Sequence, residues 1–122
     1  MDKVQAIDNF WNSFGLIAYE ENSVPKDIQM PYITYELNTG SFENELQLSA
    51  SLWYKSTSWK EITKKADEIS RMVHSTSSIS FDGGLLRLWE GNTPFAQRMT
   101  DDNAYMVKRI VLNVMAEFMS AY

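Results

Sequence analysis

Between Tyr32 and Tyr54 the chain alternates. In "YITYEL", Ile33, Tyr35 and Leu37 take every second position, with Tyr32, Thr34 and Glu36 between them. In "ELQLSASLWY", Leu46, Leu48, Ala50, Leu52 and Tyr54 alternate with Glu45, Gln47, Ser49, Ser51 and Trp53. A two-residue period sends successive side chains to opposite faces of a strand, so each stretch has one face suited to a core and one that is not. The intervening "NTGSFEN" is a turn, which predicts an antiparallel hairpin. A sheet that is apolar on one face must bury it against another layer, so the rest of the chain has to supply helices.

Two helices are predicted. Val4, Ile7, Trp11 and Phe14 recur at spacings of three and four, with Ala6 and Phe10 beside them, which makes one apolar helix face. Asp2 suits the N-cap and Gly15 the left-handed position that stops the helix, so the first helix spans about Lys3 to Phe14. Ser58 stands three residues before Glu61, the spacing of a capping box, and opens a second helix. Its buried stripe is Trp59, Ile62, Ala66, Ile69 and Val73, and "HSTSS" ends it.

Further strands complete the pattern. "LIAYE" (Leu16 to Glu20) is short and β-prone, and "ENSVPKDIQMP" after it is a loop with Pro25 and Pro31. In "ISFDGGLLRLW", Asp82-Gly83 suits a type I′ turn that pairs Ile79–Phe81 with Leu85–Trp89. "EGNTPFAQRMTDDN" reads as a long polar connection. The last segment, "AYMVKRIVLNVMAEFMSAY", fits two periods. Ile110, Leu112, Val114, Ala116 and Phe118 alternate, while Val107, Val111, Val114 and Phe118 also fit a helix face. Its β-branched residues favour the strand. The expected fold is α+β, in the order α-β-β-β-α-β-β-β. A mainly antiparallel sheet of about five to six strands packs with two amphipathic helices, in one domain over residues 1–122.

Composition narrows the chemistry. The 122 residues include no cysteine, which excludes disulfides, thiolate catalysis and cysteine metal sites. Net charge is −5 with a pI near 4.8, so a bare phosphate backbone repels the chain. Lys60, Lys64, Lys65 and Arg71 are interleaved with Glu61, Asp67 and Glu68, the pattern of a solvated helix face rather than a nucleic-acid patch. No apolar run reaches the roughly 18 residues of a membrane span. The start "MDKVQAIDNFWNSF" lacks the apolar core of a signal peptide, so a soluble protein made in the cytoplasm is expected. His74 is the only histidine, which rules out a two-histidine metal site and a triad within one chain and suits the C-terminus of the second helix. Glu20–Glu21 and Asp101–Asp102 are acid pairs. Neighbours in a strand point to opposite faces, and Asp101-Asp102-Asn103 reads better as the start of a turn than as a cation contact. "DGG" lacks the Lys-Ser/Thr of a phosphate loop. No catalytic set, cofactor or metal site is expected, and the chain does not read as an enzyme.

The aromatics point elsewhere. Trp11 and Trp59 fall on the predicted buried stripes. Trp53 and Trp89 fall on the less buried faces of their strands, where they either form an interface or lie under the second helix. In "TPFAQRM", Phe95 and Met99 either meet a partner or fold back on their own core. Trp53, Trp89, Phe95, Met99 and Asp101 are the interface candidates.

Taken in order, the N-terminal amphipathic helix, "MPYITYEL", "LSASLWYKSTSWKEITKKADEI", "DGGLLRLWEGNTPFAQRMTDDN" and "VKRIVLNVMAEFM" resemble the tail terminator, or tail completion, proteins of long-tailed bacteriophages and prophages. The resemblance spans nearly the whole chain and rests on order and character rather than on one motif. It implies helices on a mainly antiparallel sheet and self-assembly into a ring, typically a hexamer. It also implies partners in the tail tube protein and the head–tail connector proteins, and a place in the virion with no direct hold on nucleic acid or membrane. Such a ring caps the growing tail and ends its polymerisation. It implies no catalytic residues. A reading from a different class is a small-molecule-binding or regulatory α+β domain with a pocket between sheet and helix.

Overall fold

In a computed structural model, residues 1–75, 78–91, 95–100 and 106–121 are described. The elements run α1 (Lys3–Trp11), a 3-10 turn (Asn12–Phe14), β1 (Ala18–Glu20), β2 (Tyr32–Tyr35), β3 (Glu45–Lys55), α2 (Lys60–Ser75), β4 (Ser78–Phe81), β5 (Gly84–Glu90), β6 (Ala96–Met99) and β7 (Val107–Ser120). The fold is α+β. The final segment is a strand, and the longest one: β7 alternates buried and half-buried residues from Lys108 to Phe118 and is flanked on one side by β3 and on the other by β5 and β6. The sheet order is β1-β2-β3-β7-β5-β4, with β6 also on β7. All the pairings are antiparallel except β1–β2, which is parallel and is reached through the 21–31 loop.

Both helices lie on one face of the sheet. α2 packs across β3, β7 and β5, whereas α1 touches both β1 and β4, the two margins. The sheet therefore curls, and α1 bridges its open side. That position explains why α1 buries such a broad face. Ala6, Ile7, Phe10, Trp11 and Phe14 are all buried, and Phe10 meets Trp11 and Phe14 edge-on at 4.8 and 5.3 Å. Val4, expected on that face, is 46% exposed, because the wedge between the margins turns the stripe toward Phe10. At the β4 margin, Phe81 sits edge-on to buried Phe118 at 5.5 Å, and the Lys3 ammonium caps the Phe118 ring at 4.7 Å. At the β1 margin, the Asn12 side chain accepts from the Ala18 N–H at 2.9 Å and reaches the Ala18 carbonyl at 3.4 Å. Its amide thus stands in for a neighbouring strand and closes that edge.

Several local expectations are corrected. The capping box belongs to α1: the Gln5 N–H donates to Asp2 at 2.8 Å and the Asp2 N–H to the Gln5 side chain at 3.0 Å. At α2, Ser58 accepts instead from the Lys60 N–H at 3.1 Å. The helix begins at Lys60, one residue too late for Ser58 to be its N-cap. Trp59 is half-buried rather than fully buried: it packs against the core and is held against the Arg98 and Lys108 cations. The Asp82-Gly83 turn joins β4 to β5, with Phe81 opposite Gly84, but it is not type I′. Gly83 has φ +96°, while Asp82 lies outside the left-handed region. The "long polar connection" also contains a strand, β6, so the order gains one element. Periodicity could not reveal it, because all four of its residues are exposed. Its pairing comes from β7. The Gly91 N–H donates to the Asn113 carbonyl at 2.9 Å and the Asn113 N–H to the Phe95 carbonyl at 2.8 Å, so Gly91 and Phe95 both pair with β7 at Asn113.

One buried contact carries a pH dependence. The Tyr35 hydroxyl donates to Asp8 on α1 at 2.7 Å. Burial, then this bond and the Asp8 charge, push the phenol well above its usual value. The folded protein thus holds the proton more tightly than the unfolded chain does. The stability this supplies is complete below about pH 10, where free tyrosine titrates, and is lost as pH rises beyond it. Chemical denaturation across pH 8–11.5 is expected to show stability falling above pH 10, with a smaller alkaline loss in Tyr35→Phe; equal slopes would refute this. Burial also raises the Tyr54 phenol, so some alkaline slope remains in that variant.

Candidate functional site

Because both helices share one face, no described helix covers the other face of the sheet. Strand alternation sends a polar and aromatic set to it, and the strand registers arrange part of that set into a row. Tyr32 on β2 stands opposite Trp53 on β3, Trp53 opposite Arg109 on β7, and Arg109 opposite Met99 on β6. Tyr19 on β1 extends the row, edge-on to Tyr32 at 6.2 Å. The Tyr32 and Trp53 rings stack at 6.3 Å with 23° between planes, and the Arg109 guanidinium covers the Trp53 ring at 4.8 Å. Trp53 donates from Nε1 to Thr34 Oγ1 at 2.9 Å, and Arg109 donates from Nε to Ser51 Oγ at 3.1 Å. Trp53 is therefore held by a hydrogen bond and by a neighbour on either side, and little rotamer freedom remains to be lost on binding.

Beside the row is a groove of about 350 Å³, lined by Tyr32, Trp53 and Arg109, by the hydroxyls of Thr34 and Ser49, and by the exposed acids Glu21 and Glu36. Between sheet and helices lies one core cluster that includes Ile7, Trp11, Leu48, Leu112 and Ile69. Other depressions lie along the exposed side of α2 and at its start.

The sequence candidates fall into separate places. Trp53 and Met99 lie in the one row, joined through Arg109. Met99 is 38% exposed. Trp89 shares the bare face but pairs with Met115, six positions along β7 from Arg109, or roughly 20 Å at strand rise. It forms a second patch, with the Arg87 guanidinium 5.5 Å from its ring. Phe95 is half-buried and packs against the core. Asp101 lies outside the described residues. Arg109 was not singled out from sequence. The only signal for it is its parity: if residues 107–120 form a strand with Ile110 inward, Arg109 must face out.

The described residues include no group of three His, Asp or Glu placed to hold a metal ion. No described helix is long and apolar enough to cross a membrane. The buried polar pairs serve packing: Tyr35 with Asp8 ties α1 to β2, and Ser70 donates to Glu90, tying α2 to β5. Fold and surface together define an α+β protein whose most developed feature is a preformed aromatic and cationic row on an uncovered sheet face. The chain matches no protein-family model, and no curated protein sequence matches it.

Proposed function

We propose that this chain is a structural assembly protein of a long-tailed phage or prophage particle, of the tail-terminator kind. In this reading it caps the tail tube, ends tail polymerisation and contributes to the joint with the head. Its partners are other copies of itself, the tube protein and the head–tail connector proteins, and it carries no catalytic step. The observation that supports the reading is the bare sheet face with its locked Tyr32–Trp53–Arg109–Met99 row. Rigid aromatics and arginines are enriched where proteins meet. The acidic overall charge also suits protein partners better than packaged DNA.

The test is genetic and structural. Deleting the gene from the phage or prophage that carries it is expected to leave tails of uncontrolled length and unjoined heads, as seen by electron microscopy. Wild-type protein should restore uniform length, and a Trp53→Ala/Arg109→Ala variant should not. Normal, joined tails after deletion would refute the reading.

A further inference from the structure

We propose that the groove beside Trp53 receives the Trp59 corner of a second copy of this chain, so that copies join head to tail. This rests on the assembly reading above and names the partner of that face. The corner is where α2 begins. Trp59, Lys60, Lys64 and Arg98 line a depression of about 480 Å³ there, with Asp67 as its acid. The groove carries the opposite balance, with Glu21 and Glu36 against Arg109. Among the described residues neither Glu21, Glu36, Lys60 nor Lys64 takes part in an ion pair. The corner thus has three cations to one acid and the groove two acids to one cation, so their balances are opposite in sign.

Position decides how they can meet. The groove lies on the bare face over β2, β3 and β7. The corner lies on the helix side, beside β6, with the Arg98 guanidinium 5.0 Å from the Trp59 ring. The groove faces out with Trp53 and Arg109, whereas Arg98 and Lys108 at the corner share the core-facing parity of Ile110, so the sheet stands between the two patches and they cannot meet within one chain. A two-fold pairing would set a net-acidic groove against its own copy, or a net-basic corner against its own copy. Joining one patch to the other is instead a heterologous contact, which closes into a ring or runs on as a filament. The aromatics supply the apolar part: the Tyr32–Trp53 stack on one side and half-buried Trp59 on the other.

Charge exchange tests this. The four residues are exposed, so Glu21→Lys/Glu36→Lys and Lys60→Glu/Lys64→Glu should both fold, which far-UV circular dichroism would verify. In sedimentation velocity at low salt, where screening is weak, the wild-type protein is expected to self-associate with rising concentration. Each variant alone should associate about tenfold more weakly or worse, because like charges then face each other. An equimolar mixture should recover wild-type association, since every contact in it again joins opposite charges. A wild-type protein that stays monomeric up to about 1 mM, variants that associate like wild type, or a mixture that gains nothing would each overturn the inference. Self-association insensitive to these charges but lost in Trp53→Ala would overturn this pairing alone and leave the assembly reading standing. Association that follows the charge exchange, together with normal tails after gene deletion, would do the reverse.

Discussion

Trp11→Ala is expected to be among the most damaging single changes, lowering unfolding free energy by about 3–5 kcal/mol. Trp11 is fully buried on α1, at the point where the helix bridges the two margins of the curled sheet, and its ring meets Phe10 and Phe14. A void there would loosen α1 from both β1 and β4 at once. Against a typical total of about 5–15 kcal/mol, a loss of this size leaves a substantial unfolded population. Trp11→Phe should behave very differently. The indole Nε1–H is buried with no acceptor among the described residues, and a buried orphan donor costs about 1–3 kcal/mol. Phenylalanine keeps most of the apolar contact and removes the orphan, so the Phe variant should lie within about 1.5 kcal/mol of wild type. Urea unfolding followed by circular dichroism measures both. Equal losses in the two variants would mean that the indole N–H makes a stabilising bond.

Gly84→Ala should be nearly as severe for a different reason. Gly84 opens β5 opposite Ser120, and a Cβ added there would stand 2.0 Å from the Met119 carbonyl oxygen. The obstacle is backbone in the central strand, so it cannot be relieved by turning a side chain. Either β5 lifts off the end of β7 or the β4–β5 turn shifts, and α1 loses its footing on β4. A cost of about 3 kcal/mol is expected, which for a domain of this size lowers the melting temperature by roughly 10 °C. At Gly83 a Cβ meets nothing within 4 Å, so Gly83→Ala carries only the strain of its left-handed φ and should cost less, about 1 kcal/mol. A melting series that ranks Gly83→Ala as the worse of the two would contradict this account.

Much of the fold was legible because local rules and tertiary structure agreed. Asp2 caps α1 and Gly15 stops the turn that follows it, with φ +83°. Leu46, Leu48, Ala50 and Leu52 are buried while Gln47 and Trp53 face the other way, as alternation requires. The ambiguous final segment resolved toward its two-residue period: Ile110, Leu112, Val114, Ala116 and Phe118 are all buried in β7. Where local signals failed, a distant partner had intervened. Trp59 packs against the core but stays half-buried under the Arg98 and Lys108 cations, and the helix starts after it. Val4 lost its place because α1 spans two margins, which no helical wheel encodes. β6 has no pattern of its own and exists only where β7 offers a free ladder.

The candidate site divides along the same line. That Trp53 and Trp89 would leave the core face follows from their neighbours in sequence, since backbone geometry alone sets which side chains share a strand face. Placing Trp53 in line with Tyr32, Arg109 and Met99, and Trp89 roughly 20 Å away, depends on how far each strand slides along β7. That register is settled by hydrogen bonds between residues far apart in the chain and by the curl that α1 closes. Which residues turn outward was thus already written in the alternation of each strand. Only the assembled sheet decided which of them meet, because side-chain alternation is a property of one strand and a row across strands is a property of all of them together.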